Sequence, residues 1–137
     1  MFRFFDHTGD YGAELEAQSE RELYEASIDA LVALMVEDPT TVRETETREL
    51  RVTGVDAEAQ LVALGNEVLF AFETGWLCRR VEVDALEEHA VEATAYGEPF
   101  DADRHPIARP VKAVTHHASE VRQRDDGTWR GTLVFDL

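Results

Sequence analysis

Apolar residues recur along this chain at two spacings, and the spacing changes mark the elements. From Leu23 through Ala26, Ala30, Leu31, Leu34 and Met35 the interval is three or four residues, that of one buried helix face. Ser19-Glu20-Arg21-Glu22 stands in front as a capping box, and Pro39 stops the pattern behind, which predicts a helix over about residues 20–36. A second helical pattern follows the good N-cap Asp56, runs through Leu61, Leu64, Val68, Leu69 and Phe72, and ends at Gly75. Gly65 falls inside it, where a missing side chain permits close packing.

Elsewhere the period is two. Ala13, Leu15 and Ala17 alternate with Glu14 and Glu16, so Tyr11 to Ala17 reads as a strand with one buried face. Residues 46–53, 76–84 and 90–96 read as further strands. Val111–Arg122 and Thr128–Asp136 flank Asp125-Asp126-Gly127, a hairpin turn signal. Gly97, Pro99, Pro106 and Pro110 mark residues 97–110 as a long loop. The expected fold is α+β and two-layered, one antiparallel sheet with two helices on a single face, in one domain over residues 1–137.

Composition narrows the function. Twenty-nine acidic against thirteen basic residues give a formal charge of −16, and Lys112 is the only lysine. Such a surface repels a phosphate backbone, so autonomous nucleic-acid binding is not expected. The acids are dispersed over every segment, which fits adaptation to a very salty cytoplasm better than an acidic binding patch. One cysteine, Cys78, excludes an internal disulfide and fits a reducing compartment. Its place in a strand of mixed character suits a core thiol. No apolar run reaches the ~20 residues of a membrane span, and Met1-Phe2-Arg3-Phe4-Phe5 is no signal peptide, so a cytoplasmic location is expected.

Two clusters carry the candidate chemistry. Asp10 and Asp136 sit at strand ends near opposite ends of the chain, and an antiparallel sheet could bring them together with the Leu137 carboxylate. Asp38, after the first helix, is a candidate fourth group. Such hard oxygen donors, without thiolates or a His pair, suit calcium, magnesium or manganese better than zinc. The bland alternative is that they are unrelated solvated carboxylates. The second cluster is Glu98-Pro99, Arg104-His105 and Lys112-Ala113-Val114-Thr115-His116-His117, a long polar loop leading into a strand. On a regular strand His116 and His117 face opposite ways and cannot share one ion. His117 is either functional or a structural hydrogen-bonding residue. No phosphate-binding glycine loop and no catalytic triad is present.

Taken in order, His7-Thr8-Gly9-Asp10-Tyr11-Gly12, Glu98-Pro99 with Arg104-His105, Lys112 to His117, and Phe135-Asp136-Leu137 resemble the archease family across almost the whole chain. Gly9, Tyr11 and His116 depart from the family's usual residues. The resemblance implies a protein cofactor of the RtcB-type RNA ligase that joins cleaved tRNA, promoting metal- and GTP-dependent guanylylation while making no bond itself. It maps the metal onto Asp10 and Asp136, with Leu137 and Asp38 beside them and calcium as the first choice. It places His7, Glu98, Arg104, His105, Lys112 and His117 on a functional, partner-facing surface. The rival readings are a metal-dependent phosphoester hydrolase using the same carboxylates with Lys112 and His117, and a calcium-stabilised structural domain.

Overall fold

A computed structural model describes residues 1–7 and 10–137; the side chains of His7 and Asp10 and all of Thr8 and Gly9 lie outside the described residues. The order is β1 (Phe2–His7), β2 (Asp10–Ala17), α1 (Glu20–Met35), a short 3-10 turn (Pro39–Thr41), β3 (Glu46–Thr53), α2 (Ala57–Glu73), β4 (Trp76–Leu86), β5 (Ala90–Pro99), β6 (Ala113–Gln123) and β7 (Trp129–Asp136). Each helix starts where its cap signal stands. Ser19 Oγ accepts from Glu22 N at 3.1 Å, and Asp56 Oδ1 accepts from Ala59 N at 2.8 Å. The reciprocal half of the first capping box reaches one residue further back, with Glu22 accepting from Gln18 N. Gly75 closes α2 at φ +95°, a conformation open to glycine.

The α+β class with antiparallel pairing holds, but the expected single sheet is two. Four strands pair in the order β1-β2-β7-β6 and three in the order β3-β5-β4. Both helices pack against strands of both sheets. That is why ten of the sixteen α1 residues are buried, more than one sheet-facing stripe requires. The buried apolar residues form one cluster joining the sheets and helices, among them Leu15, Leu23, Ile28, Leu61, Trp76, Leu77 and Phe135.

The outer edges of two strands are closed by helix side chains rather than by another strand. On β4, the Val83 N–H donates to Glu25 Oε2 at 2.9 Å and its carbonyl accepts from Arg21, one turn earlier on α1. On β6, the Asn66 amide of α2 stands in for a strand: Oδ1 accepts from Val114 N at 2.8 Å and Nδ2 donates to Val114 O at 3.0 Å. Gly65 does not interrupt α2; it lets Val114 come so close that a Cβ there would lie 2.7 Å from a Val114 methyl. Seven residues on, Val121 N donates to Glu58 Oε1 at 3.1 Å. Buried edges closed in this way cannot recruit a stray strand.

β6 is also not the regular strand its alternation predicts. Thr115 faces Val134 and Glu120 faces Thr132, so residues 116–119 stand against Leu133 alone. Ala118 sits in the left-handed region at φ +55°, and Ser119 Oγ donates to the His116 carbonyl. The expectation that His116 and His117 alternate across a flat strand therefore fails, because both lie within a wide bulge.

Candidate functional site

β2 and β7 are antiparallel neighbours, with Tyr11 opposite Phe135 and Ala13 opposite Leu133. Asp10 and Asp136 are each the next residue beyond the Tyr11–Phe135 pair. On β7, Leu133, Val134 and Phe135 are buried while Asp136 is exposed, which turns it from the core toward solvent. The expectation for the Asp10 side chain lies outside the described residues. Leu137 follows Asp136 and is partly exposed.

The long loop, residues 100–112, is stitched to this end of the sheet at several points. Val36, just beyond α1, pairs with Ile107, and Glu37 N donates to Pro106 O at 2.9 Å. Ala108 N donates to Met35 O at 2.8 Å, and the Arg109 guanidinium lies 4.7 Å from the centre of the Tyr11 ring. Lys112 N donates to Asp136 O at 2.8 Å. One loop thus runs from the end of α1, where Asp38 follows, to the end of β7. Asp38 caps the 3-10 turn: its Oδ1 accepts from Thr40 N at 3.0 Å and Thr40 Oγ1 at 2.7 Å, which holds its carboxyl below the usual range. Among the described residues, the loop connects the Asp38 turn to Asp136.

Glu98, Arg104 and His105 form the frame of that loop. Glu98 Oε2 accepts from Arg104 Nη2 at 2.7 Å, Arg43 N at 2.7 Å and His105 Nε2 at 2.9 Å, while Oε1 accepts from Arg104 Nη1 at 3.0 Å. Arg104 also donates to Thr41 O at 3.1 Å, which fastens the loop to the 3-10 turn. Asp101 N donates to His105 Nδ1 at 3.0 Å, which puts the ring proton on Nε2, where it meets Glu98. Phe100 stacks on the His105 ring and meets Phe72 edge-on. The bidentate Arg104 pair, opposed by burial and helped by Arg43 N and His105, lowers the Glu98 pKa from 4.5 to about 2.

This frame corrects part of the expected surface. Glu98 is 5% exposed and His105 0%, so neither can touch a partner; they hold the loop that carries the exposed residues. Arg104 is half-buried in the same network. Lys112 and His117 are exposed, as a surface role requires, and His7 falls among the side chains outside the described residues. Sequence reasoning missed Arg109, Tyr11 and Asn66. The signal for Asn66 was a polar residue beside a glycine in an otherwise apolar helix. Burial pushes the Cys78 thiol up to about 12, as befits a core cysteine.

The exposed Asp136 carboxylate is a hard oxygen donor of the kind a divalent cation takes. Among the described residues no group of three or more His, Cys, Asp or Glu converges on one point. Asp10 would have to complete such a set. Two cavities of about 610 Å³ lie elsewhere, one beside Met1, Glu16 and Asp29 and one beside Arg51, Val55 and His89. No helix among the described residues is long and apolar enough to cross a membrane.

The whole of this architecture has relatives. The chain is 35% identical to a protein archease of Methanopyrus kandleri over 96% of each chain. It is 32% identical to one of Pyrococcus abyssi over 97% of this chain and 96% of that one. The solution structure of protein 1598 of Methanobacterium thermoautotrophicum superposes with a TM-score of 0.80 at 28% identity, covering 99% of this chain and 98% of that one. The crystal structure of a Thermotoga maritima archease, described as a possible chaperone, shares the fold at a TM-score of 0.70 and 22% identity, covering 100% of this chain and 98% of that one. The model of the Archease protein family (MTH1598/TM1083) matches residues 2–137, and the chain belongs to that family.

Proposed function

We propose that this protein is an accessory factor, not an enzyme, that activates an RtcB-type RNA ligase in tRNA splicing and RNA repair in the cytoplasm. It promotes metal- and GTP-dependent guanylylation so that the ligase turns over repeatedly. A divalent cation, calcium first and magnesium or manganese as alternatives, is held by Asp10, Asp136 and Leu137, with Asp38 joining across the loop. What supports this reading is membership of the archease family, together with a β2–β7 pairing that sets the neighbours of Asp10 and Asp136, Tyr11 and Phe135, opposite each other. Such an ion, when bound, supplies charge stabilisation for a phosphoryl group. The protein's own residues hold the donors in place. β2 and β7 fix the two Asp backbones, Lys112 N ties the loop to the Asp136 carbonyl, and the Glu98–Arg104–His105 frame keeps the loop from swinging away.

Adding the purified protein to its partner ligase with GTP and calcium should raise guanylylation and convert a single turnover into many. No stimulation with both proteins folded overturns the reading. Release of phosphate from phosphate esters by this chain alone would instead support a hydrolase. If chelator lowers the Tm while ligase turnover is indifferent to the protein, the cation has a structural role only.

A further inference from the structure

The β6 bulge is wider than the pairing needs. From Gly131 to Phe135 on β7 is four strand steps, about 13 Å, and the paired span on β6, Val121 to Val114, is seven steps, about 23 Å if extended. The two α2 clamps, Glu58 on Val121 and Asn66 on Val114, are eight helical residues apart, about 12 Å. Helix and partner strand therefore agree on the same short distance, and β6 meets it only by carrying three extra residues outward. Those residues bring a left-handed Ala118, and His116, His117 and Ala118 are exposed. A regular strand would satisfy the core at lower conformational cost, so the fold does not explain the excess. Strain of this kind, held in place by fixed points on either side, marks surface built for contact.

The charge pattern says what kind of contact. From Arg104 to Ser119 the chain has no Asp or Glu, although 29 of its 137 residues are acidic. The same stretch carries Arg109, Lys112, His116 and His117, all exposed. The strip begins beside the Asp136 end of the sheet, where Lys112 N meets Asp136 O, and ends at the bulge. We propose that the exposed Arg109, Lys112, His116 and His117, with the β6 bulge at the far end, form a docking surface for an acidic face of the protein partner. A folded partner fits better than RNA, because a local acidic face meets only the strip, whereas a long polyanion also meets the rest of a surface with formal charge −16. This rests on the ligase reading above, and to the partner-facing Lys112 and His117 it adds the β6 bulge, Arg109, His116 and the acidic character of the face they meet.

The test is the affinity of the full chain for its immobilised partner ligase, with calcium present. Deleting residues 117–119 leaves His116 opposite Leu133 and Glu120 opposite Thr132, a continuous register. The deletion should keep the circular dichroism and Tm of the wild type and weaken binding by about tenfold or more. His116→Glu should weaken binding by a similar factor, and it decides the matter if the deletion variant does not fold. Ala118→Gly, which keeps the bulge and eases its backbone, should bind within about twofold of wild type. Wild-type affinity in both the deletion and His116→Glu overturns the docking surface and leaves the ligase reading standing. A wild-type chain that does not bind the ligase at all overturns both. Binding of single-stranded RNA by the chain alone, lost in His116→Glu, overturns the protein partner in favour of phosphate.

Discussion

Replacing Glu98 by Gln tests whether the loop frame is held by charge. The carboxylate accepts four hydrogen bonds, two from one guanidinium, and is nearly sealed from water. Its pKa is held down to about 2 against an ordinary 4.5, which by linkage corresponds to about 3 kcal/mol favouring the folded state. The Arg104 side chain is 34% exposed, so water screens part of this and about 2 kcal/mol is the better figure. Glutamine adds a second cost, since its NH₂ must face Arg104, Arg43 N or His105 Nε2–H, all donors. The expected loss is ~2–3 kcal/mol at neutral pH. For 137 residues an unfolding entropy of about 0.29 kcal/mol/K turns that into a Tm lower by about 7–10 °C. The sign with pH follows from the depressed pKa. The carboxylate's contribution is complete above pH 4.5 and is lost as pH falls toward 2, so the gap between wild type and Glu98→Gln narrows across that window. Glu82→Gln serves as the control, since Glu82 pairs with Arg80 at the surface and should shift the Tm far less. Thermal unfolding of the three proteins from pH 7 downward reads all of this. A Glu98→Gln Tm within about 1 °C of wild type at pH 7 would refute the reasoning.

Three further outcomes follow from the packing. Asn66→Ala removes both partners of the Val114 backbone at a helix-covered edge and should cost about 1–3 kcal/mol. Hydrogen exchange at the Val114 amide should rise more than at core amides of β7. Gly65→Ala places a methyl 2.7 Å from a Val114 methyl, and the stiff β-branched side chain cannot yield cheaply. It should destabilise by about 1–2 kcal/mol despite alanine's better helix propensity, as denaturant midpoints will read. Ala118→Gly should stabilise by up to about 1 kcal/mol in the same assay, because glycine accepts φ +55° without a Cβ clash.

Elements with a clean period and a cap were legible from residues alone. Ser19, Asp56 and Gly75 mark their helix ends because each satisfies a local backbone need that no distant residue alters. The split into two sheets was not legible, because it depends on which strands pair. β5 joins β3 and β4 while β7 joins β2 and β6, and the alternation of each strand is the same either way. The β6 bulge escaped for a related reason. The span it bridges is set by Glu58 and Asn66 on another element, and nothing in Val114–Ser119 itself announces that the strand carries more residues than that span holds. Glu98 and His105 read as surface because charged and polar residues usually are. Their burial depends on Arg104 and Arg43 arriving from elsewhere in the fold. The β2–β7 pairing was foreseeable from the strand ends, and it sets Tyr11 opposite Phe135, the neighbours of Asp10 and Asp136.

Calorimetric titration of calcium into the purified wild type, Asp10→Ala and Asp136→Ala tests the cation site most directly. The wild type should bind the ion at one site, and either substitution should abolish binding while leaving the metal-free unfolding curve unchanged. Calcium binding of wild-type strength in both variants would contradict a cation shared between the two strand ends.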